Sequence, residues 1–178
     1  QTQDHPQFKT YAEELKWLTT DKVRMKWVAK TIKDISTSGN TLILVDRISA
    51  GEILQEQLEG SVFVSGSTKN IDRKEQYDEV STATNKIIIA TYGVASVGIN
   101  IPRIFNLVLI EPGKSFVRVI QSIGRGIRKA EDKENVQIWD ITSSCKFAKR
   151  HLGARKKFYK EANYPYNIEK VNYENPYT

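Results

Sequence analysis

The chain has one cysteine, Cys145, in 178 residues. No intramolecular disulfide can form, so the fold has to rest on packing, and the count suits a reducing, cytoplasmic interior. No apolar run approaches the roughly 18 residues that a membrane-spanning helix needs. No signal-peptide pattern opens the sequence, and there is neither a repeat nor a low-complexity tract. Two further absences concern chemistry. No Gly-x-x-x-x-Gly-Lys-Ser/Thr phosphate loop occurs anywhere. No Asp-Glu-x-His or Asp-Glu-x-Asp strand end is available to hold magnesium. No Met leads the chain, and its polar start reads as the tail of a linker.

What is present suits one soluble globular domain: 39% hydrophobic and 27% charged residues, in a length that supports one real core and not two large ones. The net charge of +6 is unevenly placed. Residues 114–160 hold 13 Lys/Arg against 4 Asp/Glu, and the rest hold 14 against 17. A concentrated basic half suits a polyanionic partner, and it equally suits a solvated basic face.

Taken in order, Tyr11 to Leu18 forms a short helix. Thr20 and Asp21 suit the N-cap of a second helix that runs to Ser36 through Val23, Trp27, Ile32 and Ile35 and stops at Ser38-Gly39-Asn40. Trp27 reads as packing. Thr41 to Val45 is almost wholly apolar, as a strand buried on both faces of a parallel sheet must be. Further strands are read at Ser61 to Val64, Lys86 to Ala90, Phe105 to Ile110 and Val136 to Ile141. Helices lie at Ser49 to Leu58, near Asn70 to Val80, and between the last two strands. A long basic helix follows, about Ser144 to Ala162, with a break or bend near Gly153, and Tyr166 to Tyr173 reads as extended. Strands alternating with helices at this pitch predict βαβ units and a parallel sheet with helices on both faces. Function in such sheets gathers outside the carboxyl ends of the strands.

One helix stands out. Phe116, Ile120, Ile123 and Ile127 make an apolar stripe, and Gln121, Gly124, Arg125 and Arg128 make a second at i, i+3, i+4, i+7. Two guanidiniums one turn apart form a fork for a group with several anionic oxygens, such as a triphosphate. Gly124 costs about 1 kcal/mol of helix stability against Ala, which points to close approach of another group. Ala90-Thr91-Tyr92-Gly93 and the residues to Pro102 follow a strand, where a hydroxyl and glycines let backbone N–H groups approach an anion.

Gln-x-x-Gly-Arg-x-x-Arg at 121–128 resembles motif VI of the superfamily-two helicases and translocases. Thr91 to Asn100 resembles their motif V, and Leu42 to Leu58 their motif IV. Ser65-Gly66-Ser67-Thr68 with Arg73 resembles the small-residue loop and helical Arg that follow motif IV. The order and spacing of these segments, over roughly residues 40–142, carry the resemblance. It implies the second of two RecA-like motor domains, with a parallel sheet flanked by helices on both faces. Domain limits are then 1–37 for a linker and leading helix, 38–143 for the RecA-like domain, and 144–178 for a basic helix and tail packed on it.

The resemblance also implies roles. Arg128 and Arg125 act as arginine fingers toward a nucleotide, with Gln121 in the same contact. Gly98 and Asn100 meet the nucleotide's sugar side, although Asp is more usual at the position of Asn100, and Gly124 lies close to the nucleotide. Thr91, Ser65, Gly66 and Arg73 meet the nucleic-acid backbone. ATP and Mg2+ are cofactors held mainly by an N-terminal motor domain that this chain lacks, so the chain alone is not expected to hydrolyse ATP. Within the superfamily the wording is nearest the recombination helicases, which implies branched or forked DNA as partner and no membrane. Lys156 and Lys157 on the basic helix either add a duplex or junction contact or belong to a solvated face. Glu111 either orients the arginines or is a surface acid, and Asp46 and Arg47 pair on the surface. A non-catalytic nucleic-acid-binding module, an RNA helicase and a restriction-type translocase subunit are the other readings.

Overall fold

The computed structural model describes residues 7–66, 74–75, 84–96, 101, 103–113, 116–126 and 136–171, with the backbone alone for 122–126. Among these the strands are β1 (Thr41–Val45), β2 (Val62–Val64), β3 (Ile87–Thr91), β4 (Asn106–Ile110) and β5 (Gln137–Ile141). The helices are α1 (Tyr11–Thr20), α2 (Lys22–Ser36), α3 (Ile48–Gln57), α4 (Tyr92–Ser96), α5 (Phe116–Gly126) and α6 (Lys146–Glu161). The strands form one sheet in the order β2-β3-β1-β4-β5, and every neighbouring pair is parallel.

The apolar run of β1 explains its central place, because all five of its residues are buried. Alternate side chains serve opposite faces. Leu42 and Leu44 join Ile88, Ala90, Leu107 and Leu109 under Val94 of α4, Phe116, Val119 and Ile120 of α5, and Tyr159 of α6. Ile43 and Val45 join Ile89, Val108 and Ile110 under Met25, Val28 and Ile32 of α2 and Ala50 and Leu54 of α3. Helices therefore cover both faces, as expected of a chain of buried parallel strands. On the outer strand β5 the pattern lapses: Gln137 and Trp139 are exposed, and Ile141 is buried.

Local chemistry sets the joints. Asp21 caps α2, its carboxylate accepting the Arg24 N–H at 3.0 Å, as the Thr20-Asp21 signal predicts. Gly51 lets α3 settle on β2, since a Cβ there would run into the Phe63 ring. Gly39, in the turn between α2 and β1, takes φ +147, with Phe105 beneath it.

Trp27 is partly buried against the α2/α3 core, in keeping with packing. The basic helix departs from expectation: α6 runs unbroken through Gly153. Nothing lies within 4 Å of a Cβ at Gly153, so this glycine only lowers helix propensity. The helix expected near residues 70–80 lies outside the described residues, apart from 74–75, which are helical. Residues 164–171 of the tail form no helix or strand. Tyr164 and Tyr166 of this tail lean on Tyr159, with ring centroids 6.5 and 6.0 Å away.

Candidate functional site

Because all five strands run the same way, their carboxyl ends open on one rim. Asp46-Arg47 follows β1, Ser65-Gly66 follows β2, α4 follows β3, the turn Glu111-Pro112-Gly113 follows β4, and Thr142 follows β5. Thr91 and the Ser65-Gly66 segment therefore share this rim, and α5, which carries Gln121, starts from it.

After β3, the Thr91 hydroxyl accepts the Val94 N–H at 3.3 Å and starts α4. Thr91 itself stays half-exposed. The Tyr92 hydroxyl donates to the Ile110 carbonyl at 3.0 Å, tying the start of α4 to the end of β4. Burial pushes the Tyr92 phenol well above the usual tyrosine value. Gly98 and Asn100 lie outside the described residues.

From the turn after β4 rises α5. Phe116, Val119 and Ile120 of its first turns are buried against the sheet, and Gln121 faces solvent. The first half of the predicted apolar stripe is thus the packed face, and Gln121 lies off it. Gly124 and Arg125 belong to the last turn of this helix, where the backbone alone is described. Ile127, Arg128 and Arg73 lie outside the described residues. Ser65 is buried, and Gly66 is exposed with open space where a Cβ would stand.

Three acidic or basic residues fall where sequence reading leaves choices or errs. Arg47 donates to Asp46 at 3.1 Å, the surface pair that was expected. Glu111 is not a surface acid: its side chain is 3% exposed and engages the buried guanidinium of Arg24. Its other carboxylate oxygen accepts the Thr142 hydroxyl at 3.1 Å. Burial raises the Glu111 carboxyl above its ordinary value, and Arg24 and the Thr142 hydroxyl oppose the shift. Arg155 is not on the basic face of α6 either. It is 0% exposed and grips Asp140 through Nε at 2.6 Å and Nη2 at 2.9 Å. Lys157 stands exposed and Lys156 half-exposed on the same helix.

Sequence reading missed the partners of these groups, yet a signal was there. Arg24 sits in phase with Val28, Ile32 and Ile35 on the buried stripe of α2. Arg155 sits in phase with Ala148, His151 and Tyr159 on that of α6. A charge on an apolar stripe must find a buried partner. Glu14 of α1 is a third case: its carboxylate accepts the Phe147 and Ala148 N–H groups at 3.0 and 2.9 Å and caps α6.

Among the described residues no three His, Cys, Asp or Glu side chains converge in a way that could hold a metal ion. None of their helices is long and apolar enough to cross a membrane. Besides the Asp46–Arg47 pair and the buried Glu111, the rim offers hydroxyls and backbone N–H groups, which suit phosphate oxygens.

This sheet, with its glycine-notched Gln-x-x-Gly-Arg-x-x-Arg segment following β4, is a RecA-like motor lobe. The chain belongs to the family described as the helicase conserved C-terminal domain, whose model matches residues 23–130. It is 31% identical over 155 residues to the ATP-dependent DNA helicase uvsW of Enterobacteria phage T4, covering 84% of this chain and 31% of that protein. It is 28% identical over 153 residues to a putative ATP-dependent RNA helicase of Acanthamoeba polyphaga mimivirus, covering 84% and 28%. The crystal structure of T4 UvsW superposes with a TM-score of 0.79 at 24% identity, over 93% of this chain and 38% of that one. The chain thus spans about a third of the length of these curated relatives.

Proposed function

We propose that this chain is the second motor domain of an ATP-dependent DNA helicase or translocase acting on branched or forked DNA in recombination, repair and fork rescue. The observation that carries the reading is α5: it packs by Phe116, Val119 and Ile120, turns Gln121 to solvent, and leads the chain from the rim toward Arg125 and Arg128. The likeness to the phage DNA helicase supports DNA as the substrate.

ATP with Mg2+, held mainly by a first motor lobe, supplies the phosphoryl group whose transfer to water drives the cycle. The residues of this chain bind and orient. Arg125 and Arg128 reach across the cleft and stabilise charge on that group, and Gln121 couples the contact to closure. Gly98, Asn100 and Gly124 accommodate the nucleotide. Thr91, Ser65, Gly66 and Arg73 grip the sugar-phosphate backbone, so binding is weakly sequence-dependent and strongly salt-dependent. Lys156 and Lys157 add a contact to duplex or junction DNA. Opening and closing of the two lobes shifts these grips along the strand, and this domain alone does not hydrolyse ATP.

Arg128→Ala in the complete protein tests the arginine-finger role. ATPase turnover falls by about 10³-fold or more, the usual size for an arginine finger, with DNA affinity retained. Turnover near wild type would remove Arg128 from the reaction. An RNA substrate is the second reading, favoured by the mimivirus relative. Stimulation of the ATPase by forked DNA against duplex RNA separates the two.

A further inference from the structure

From Ile110 to Gly113 the exit of β4 is held residue by residue by other elements. The Ile110 carbonyl accepts the Tyr92 hydroxyl at 3.0 Å. Glu111, at φ 46, is in the left-handed region that a side chain disfavours. Its N–H donates to the Ile141 carbonyl at 2.9 Å, and its carboxylate lies between Arg24 and Thr142. Arg24 is itself tied to α1 through the Leu18 carbonyl at 2.8 Å. The Pro112 carbonyl accepts Arg155 Nη1 at 2.8 Å. Gly113 leaves room for Tyr11, whose hydroxyl would stand 2.8 Å from a Cβ at that position. The Gly113 carbonyl then accepts the Phe116 N–H at 3.3 Å, and α5 begins.

Arg155 is the most distinctive of these holds. Its guanidinium spends two donors on Asp140, whose Oδ2 also accepts the Tyr159 hydroxyl at 2.9 Å. A third donor goes to a carbonyl in the turn. The planar fork serves Asp140 and Pro112 at once, which an ammonium on a flexible stem cannot reproduce.

We propose that Arg155 is a positioning residue for the motor helix: by bridging Asp140 of β5 to the Pro112 carbonyl, it fixes the exit of β4 and with it the direction in which α5 presents Gln121. The C-terminal helix is then part of the motor and not an appendage. This rests on the motor reading for its consequence in catalysis, but not for its mechanical part.

Two measurements separate the two. In this chain, Arg155→Lys and the milder Tyr159→Phe are compared with wild type by hydrogen exchange. Exchange in residues 110–121 rises about tenfold in Arg155→Lys, the equivalent of one charge-assisted hydrogen bond, and less in Tyr159→Phe, while β1 and α2 keep their protection. Unchanged exchange at 110–121 in both variants overturns the positioning role, and so does a uniform rise across the whole chain in both. In the complete protein, the nucleic-acid-stimulated kcat falls about tenfold in Arg155→Lys, with the KM for ATP and the DNA affinity within twofold of wild type. Unchanged kcat beside altered exchange refutes the catalytic consequence. A wild-type protein without ATPase refutes the motor reading and leaves the exchange result standing.

Discussion

Glu14 gives the sharpest test of how this domain is assembled. Its carboxylate is 1% exposed and accepts two N–H groups of the first turn of α6, 133 and 134 residues away. The residue at the local cap position, Cys145, makes no side-chain cap bond, so α1 supplies the cap. Losing an ordinary N-cap costs about 1 kcal/mol. Here two charge-assisted bonds are lost, one buried and one part-buried donor lose their partner, and a negative charge leaves a helix N-terminus. Glu14→Ala should therefore cost about 3–4 kcal/mol, which for a chain of this size lowers Tm by about 10 °C. Glu14→Gln keeps one acceptor and turns an amide N–H toward a donor, so it falls between. The single thiol supplies a second readout. Cys145 is buried, and burial raises its pKa, so it reacts slowly in the folded chain. In Glu14→Ala the first turn of α6 frays and Cys145 reacts at least tenfold faster with a thiol reagent under native conditions. A melting point within about 2 °C of wild type together with unchanged thiol reactivity would refute the capping role.

Other outcomes follow from the same geometry. The Tyr92 and Tyr159 phenols are both raised above the free value of 10.0, chiefly by burial. Above that pH the unfolded chain binds fewer protons than the folded one, so stability is full below pH 10 and falls as pH rises beyond it, by about 1.4 kcal/mol per pH unit for each group. Tyr92→Phe removes one share of that slope, as urea titrations between pH 9 and 11.5 read; an unaltered slope would contradict the burial. Lys156→Glu with Lys157→Glu in the complete protein lowers DNA affinity and reduces the salt slope by about two, if each lysine meets one phosphate. Binding isotherms that superpose on wild type at every salt concentration would leave these lysines as a solvated face.

Much of this fold can be read in the linear chain because its strongest signals are local. Thr41 to Val45 is almost wholly apolar and becomes the central strand, and Asp21 stands where a cap is needed and makes the bond. The position of α5 after β4 was legible for the same reason, since Phe116 and Ile120 repeat at helical spacing and both are buried. Strand ends moved by one residue, as with Ile87–Thr91 against Lys86 to Ala90, because a strand's limits depend on its neighbours' register. What could not be read was pairing at a distance. Arg24 and Glu111 are 87 residues apart, and nothing local shows that they meet. Composition registers only the charge of Arg155, whereas helical phase puts it with Tyr159 in the core. The break expected at Gly153 failed because propensity is a weak term once Ala148, His151 and Tyr159 are packed.

The rim opposite the strand carboxyl ends has a practical use. Glu59 is exposed there, at the joint where α3 turns into β2, and the neighbouring Gly60 carbonyl is already tied to Lys86. With Cys145 sunk in the interior, Glu59→Cys would give this chain one accessible attachment point for a fluorophore or a surface tether. Lobe movements could then be followed one molecule at a time, from the rim opposite Ser65, Thr91 and the turn after β4.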